Sequence, residues 1–275
     1  MKGFLKVAAF IATFIIVLVV LHFGISFLLQ KDPGLLFHHG AGQVTFYLLF
    51  VLNVFIFQKY VNREGFLSLG IRPYPGWYVT VLKGWVVGVT AFVGYSFLMR
   101  AFGIVEFIWR PGIERLLTAF IVAFSAFGIA LTEEILFRGF FLQTMLKDTP
   151  KWIAVTITGI VFVFFHDLAN VQNFWTVPKH MMLAGGLFCL NVLLCAAYLK
   201  TRMLFLPIGI HSGLVFAKIF FRKMKLMQVL DSNSYLVGID GDARRGILAW
   251  LLFLAGILVL QFLIAERERK QLISS

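Results

Sequence analysis

Two carboxylates and a guanidinium stand in Thr132-Glu133-Glu134-Ile135-Leu136-Phe137-Arg138, inside an apolar run from about Leu116 to Leu146 that has no other ionisable group. A charge at membrane depth costs roughly 2.5–3.5 kcal/mol even on a lenient scale, so such residues are usually partnered and functional. Glu134 and Arg138 are four apart on one helical face, which suits an ion pair. Glu133 is turned about 100° from Glu134 and keeps a carboxylate to aim elsewhere. His166 is its natural partner. A turn centred on Thr149 and Pro150 separates the two apolar segments, and both residues stand the same number of positions from it. An antiparallel hairpin therefore sets Glu133 and His166 level, roughly 24 Å along each helix from the turn. A carboxylate facing an imidazole there can hold and deprotonate a water molecule. The alternative is a buried Glu–His hydrogen bond that only joins two helices. His211 and Ser212 are further polar groups in an apolar segment and need partners too. With Pro207 in the first helical turn, His211 reaches the Glu133 level if Met203–Leu206 is extended.

The elements that must carry these groups are membrane helices. Of the 275 residues, 60% are hydrophobic and 14% charged, where a soluble domain has about 25% charged. Mean hydropathy is +0.89. The fold class expected is all-α: a polytopic transmembrane bundle of about eight spans, near 4–29, 45–60, 79–98, 115–147, 152–166, 181–198, 207–221 and 247–265. The first reads as a retained helix rather than a cleaved signal, its apolar run being too long. The fourth is longer than a core of about 30 Å requires, so it should tilt, kink near Gly128 or Gly139, or project. The chain is expected to divide into 1–112, an N-terminal unit of three spans, 113–222, a core of four that carries the candidate catalytic residues, and 223–275, a basic loop, the last span and the tail. The net charge of +12 sits in short loops and at both ends, suited to anionic lipid head groups. Nothing else supports nucleic acid as a partner. Lys and Arg divide almost evenly between the two sides, so charge does not set orientation. Arg222, Lys223 and Lys225 alternate with Met224, Leu226 and Met227, as in an amphipathic segment lying on lipid. Asp240 and Asp242 read as turn residues, since no later acid completes a Ca²⁺ loop. Cys189 and Cys195 read as small core residues.

Several protease signatures are absent. There is no His-Glu-x-x-His, no Gly-x-Ser-Gly with a later His, and no Gly-x-Gly-Asp. What remains is Glu133-Glu134-x-x-x-Arg138, Phe162-x-x-x-His166 and His211 in Pro-Ile-Gly-Ile-His. Together they resemble the CPBP family of type II CAAX prenyl endopeptidases and bacteriocin-processing or self-immunity proteins, over about Thr118 to Phe221. The resemblance implies hydrolysis of a peptide bond in a membrane-anchored substrate, lipidated or CAAX-like substrates among them, by a multi-pass protein of a bacterial inner membrane. It makes Glu133 the base that activates water with His166, braces them with Glu134 and Arg138, and gives His211 oxyanion stabilisation or substrate positioning.

One position departs from the pattern. CAAX-processing members often carry Asn four residues after the last His, and this chain has Val215. Asn191, Ser212 and Asn170 are the candidate replacement donors. The family has been described both as metalloproteases and as glutamate proteases. A metal-free site is favoured, because Glu133 has a role as base and no zinc spacing appears. If a divalent metal such as Zn binds, Glu133, His166 and His211 are the ligands of suitable type. Two other functions fit intramembrane Glu and His: a proton-coupled transporter, and a non-catalytic immunity or scaffold protein on the same fold. No repeated halves support the first. Val215 is the best support for the second.

Overall fold

The computed structural model describes residues 2–29, 40–108, 114–167, 176–230 and 233–263, with the single residues 112 and 172. Eight long helices carry these residues: α1 Gly3–Leu29, α2 Gly40–Ile56, α3 Trp77–Ala101, α4 Glu114–Glu134, α5 Lys151–Asp167, α6 Pro178–Thr201, α7 Phe205–Lys223 and α8 Ile247–Leu263. Two of them run on as π-helix, α2 through Phe57–Val61 and α4 through Ile135–Leu142 before a last α-turn at Gln143–Leu146. Among the described residues, strands are confined to two short pairs. β1 Val105–Phe107 lies antiparallel to β2 Met227–Val229, and β3 Asn233–Ser234 to β4 Gly238–Ile239.

The protein is an all-α, multi-pass membrane protein. Among the described residues, five helices are long and apolar enough to cross a bilayer: those at Gly3–Leu21, Trp77–Ala101, Arg115–Leu146, Pro178–Thr201 and Phe205–Lys223. Three apolar helices are shorter, Tyr47–Val61, Lys151–His166 and Ile247–Leu260. All eight expected positions hold helix, with α2 running on to Val61, but Lys151–His166 and Ile247–Leu260 as described are shorter than a full crossing. At 1.5 Å per residue a 16-residue helix gives about 24 Å, against a core of about 30 Å.

Phenylalanine supplies much of the packing where α1, α2, α4 and α5 meet. Phe10 of α1 lies 4.9 Å from Phe140 of the π-helical stretch, and Phe14 stacks on Phe50 of α2 at 3.8 Å. Phe137 meets Phe162 of α5 at 4.9 Å. All eight residues of Ile135–Leu142 are buried. Gly139 belongs there because a Cβ would come within 3.1 Å of the Leu69 carbonyl, which closes over it from the Phe66–Leu69 turn. The fourth span runs through Gly139 as a π-helical segment. Such segments occur frequently at functional sites.

Helix α7 packs against α3 and α4, while α6 packs against α5 and α8. The α3–α7 contact is backbone on backbone. A Cβ on Gly84 would stand 2.7 Å from the Leu206 carbonyl, one on Gly88 would meet Ile210, one on Gly209 would meet Val81, and one on Gly213 would meet Trp85. Gly84 pairs with Gly209 and Gly88 with Gly213, so the two helices run parallel in a small-xxx-small contact.

Of the stretch expected to be amphipathic, Arg222 and Lys223 end α7 and Met227 opens a strand. Met227–Val229 is an extended strand that ties the end of α7 to the end of α3 through β1. The acidic turn serves as an anchor for α8. Asp242 accepts from Lys218 of α7 at 3.2 Å and from Arg244 at 2.7 Å, and the Arg244 carbonyl accepts from Trp250 Nε1. Burial alone would raise the Asp242 carboxyl, but the Arg244 hydrogen bonds and the charges of Arg244 and Lys218 outweigh it and hold it well below the usual carboxylate range. Cys195 is buried and Cys189 half-buried, both as free thiols.

Candidate active site

The two glutamates divide their work by azimuth. Glu134 and Arg138 are fully buried, and Arg138 Nη1 donates to Glu134 Oε1 at 2.8 Å. The same oxygen accepts from His211 Nδ1 at 2.8 Å. Arg138 Nη2 donates to Asn191 Oδ1 at 3.1 Å, and the guanidinium lies 4.9 Å from the centre of the Phe162 ring. One carboxylate thus joins α4, the π-helical stretch and α7, and one guanidinium extends the link to α6. A buried ion pair is tolerated when further hydrogen bonds satisfy its charges.

Glu133 faces the other way. Its Oε2 lies 3.3 Å from His166 Nε2 and 3.8 Å from His211 Nε2. No described residue gives that oxygen a hydrogen bond of good geometry. A buried carboxylate oxygen in that state calls for an explanation, and a role in chemistry is one. The His166 ring is fixed from behind, since Nδ1 lies 2.9 Å from the Phe162 carbonyl. A carbonyl only accepts, so Nδ1 carries hydrogen and Nε2 of the neutral ring is an acceptor turned toward Glu133. His211 is fixed in the same sense by Glu134.

A cavity of about 220 Å³ opens beside this pair. Its polar wall is Tyr47, Thr132, Glu133 and His166, and Phe50, Leu136, Phe137 and Phe165 close the rest. Exposure grades the three groups: the side chain of His166 is 22% exposed, that of Glu133 15% and that of His211 4%. Glu133 and His166 meet the cavity, while His211 stands behind them. Among the described residues no group of three or more His, Cys, Asp or Glu is arranged to hold a metal ion.

The remaining expected donors are engaged elsewhere. Asn191 Nδ2 donates to the Val155 carbonyl at 3.2 Å while its oxygen serves Arg138, so it braces the ion pair. Ser212 Oγ donates back to Gly209 within its own helix at 3.0 Å. Asn170 lies outside the described residues. Val215 is half-buried one turn beyond His211.

The route that brings His211 to the site also differs from expectation. Leu204 has helical dihedrals (φ −84, ψ −10) and α7 already begins at Phe205, so Met203–Leu206 is not extended. The turn itself is sunk into the protein. Met203 and Leu204 are buried, and Leu204 N–H donates to the Gly70 carbonyl at 2.8 Å beneath the segment that precedes α3. Seven helical residues, about 10 Å, then suffice where extension seemed necessary.

Residues 115–217 match the family model of the Rce1-like type II CAAX prenyl endopeptidases. This stretch is a CAAX-protease-like domain. The domain holds Glu133, Glu134, Arg138, His166 and His211, so the buried His–Glu cluster belongs to the matched region, consistent with catalysis. Tyr47 and Phe50 of the cavity wall lie outside it, as do Gly84 and Gly88. The sequence carries a signal for the glycines, Gly-x-x-x-Gly in both α3 and α7, but none that assigns Tyr47 to the domain's cavity. No curated protein and no solved structure matches the chain.

Proposed function

We propose that the protein is an intramembrane endopeptidase that hydrolyses a peptide bond of a membrane-anchored substrate, in a bacterial inner membrane. The observation that carries this reading is the 3.3 Å approach of Glu133 Oε2 to His166 Nε2 in the wall of an open cavity, within a CAAX-protease-like domain. Glu133 takes a proton from water as the water oxygen bonds to the scissile carbonyl carbon, and the carbonyl π pair moves to oxygen. Collapse of the tetrahedral species breaks the C–N bond. The proton passes by way of His166 Nε2 to the leaving amine. Glu134, held by Arg138, keeps the His211 ring oriented behind the pair, where it backs Glu133 and His166. Lipidated or CAAX-like substrates fit the domain. Val215, with Asn191 and Ser212 engaged elsewhere, favours the second reading, an immunity or scaffold protein on this fold.

Purified protein and a quenched-fluorescence peptide fused to a lipid anchor test the first reading. Cleavage is expected, with Glu133→Gln and His166→Ala each lowering kcat by at least about 10²-fold while their melting curves stay near that of the wild type. A wild type that cleaves none of a panel of anchored peptides overturns it and leaves the scaffold reading.

A further inference from the structure

We propose that Tyr47 of α2 supplies a hydrogen bond to the oxyanion of the tetrahedral intermediate, a contribution from outside the CAAX-protease-like domain. The inference rests on the peptidase reading above. Hydrolysis at this cavity needs a donor where negative charge develops, and such donors are among the largest single contributions to catalysis. Glu133 and the bare His166 Nε2 are acceptors. Asn191 and Ser212 do not line the cavity, and His211 stands behind it. The cavity wall carries two hydroxyls, Tyr47 and Thr132. Thr132 precedes Glu133 on the same helix, on the base's own side. Tyr47 comes from a different helix, and a phenol is a better hydrogen-bond acid than an aliphatic alcohol.

Its placement follows from packing. Phe50, three residues on, shares the Tyr47 face of α2 and also lines the cavity. Its ring is clamped between Phe14 of α1 at 3.8 Å and Phe165 of α5 at 5.6 Å. That clamp fixes the rotation of α2, so Tyr47 is presented next to Glu133 and His166. During attack the carbonyl oxygen gains charge and accepts from the Tyr47 hydroxyl. The phenol proton stays on Tyr47, and the bond relaxes when the carbonyl re-forms.

Tyr47→Phe keeps the ring and removes the donor. An interaction made mainly in the transition state lowers kcat and leaves KM nearly unchanged. With the full-length protein and the anchored peptide, Tyr47→Phe is expected to lose about 10²-fold in kcat, and Thr132→Val far less. A phosphinate analogue of the tetrahedral species should bind Tyr47→Phe weaker by the same factor, while the uncleaved peptide binds it as it binds the wild type. Tyr47→Phe with wild-type kcat, beside an inactive Glu133→Gln, overturns the role of Tyr47 and leaves the peptidase reading standing. A rise in KM alone, or a loss at Thr132→Val in place of Tyr47→Phe, overturns it as well. If the wild type cleaves nothing, both readings fall together.

Discussion

Arg138 carries the largest local consequence of any single side chain in the cluster. It is fully buried, makes its charged contacts to Glu134 and Asn191 and lies over Phe162, and its Nε finds no partner among the described residues. Removing one member of a buried pair leaves the other charge uncompensated, which costs about 3–5 kcal/mol, whereas replacing both with apolar or neutral groups can be nearly neutral. Arg138→Met should therefore destabilise the fold by about 3–5 kcal/mol, and adding Glu134→Gln should recover part of the loss. Arg138→Lys should fail to rescue, because one ammonium cannot reproduce a fork aimed at both Glu134 and Asn191. Thermal unfolding of the four proteins in one detergent checks this. A double variant no more stable than Arg138→Met would mean that Glu134 is held by His211 alone. The four-residue spacing made the Glu134–Arg138 pair legible in the sequence. The role of Asn191 was not legible, because the rotation of α6 about its own axis decides whether that amide meets the cavity or the guanidinium.

Helix pairs set the accuracy with which the site forms. Counting from the turn placed Glu133 level with His166 because both arms of one hairpin are measured from the same point, and errors in rise largely cancel. His211 had no such reference. Its depth depends on how far the turn before α7 sinks beneath the segment preceding α3, and only the tertiary structure fixes that. The basic–apolar alternation at the end of α7 gave no sign that Met227–Val229 would pair with Val105–Phe107 as a strand. What holds α7 at its depth is the glycine contact with α3. Gly209→Ala should push the helices apart, since its methyl would collide with the Val81 carbonyl. Gly128→Ala is the control, because nothing lies within 4 Å of a Cβ there. The control should be neutral or gain up to about 1 kcal/mol from better helix propensity. Gly209→Ala should instead lower the melting temperature and weaken cleavage together, as His211 leaves Glu134. Equal melting curves for the two variants would show that α3 and α7 yield without strain.

At the scale of the whole molecule, α2 and the shorter α5 form walls of the cavity. His166 is the penultimate residue of α5, so the site lies about 24 Å from the turn at 148–150. In a core of about 30 Å that leaves only a few ångströms to the opposite face, and short helices draw the bilayer inward around them. Water for hydrolysis is therefore expected to enter from the face at which α5 ends, without a channel through the full bundle. Thr132 lines the cavity and reports on this directly. With Cys189 and Cys195 replaced by Ala, Thr132→Cys in sealed vesicles should react with a membrane-impermeant maleimide from one side, and Thr149→Cys at the turn from the other. Labelling of both from the same side would put the cavity mouth on the turn's face. No labelling of Thr132→Cys would mean a closed chamber, and attack by water would then need a helix to move.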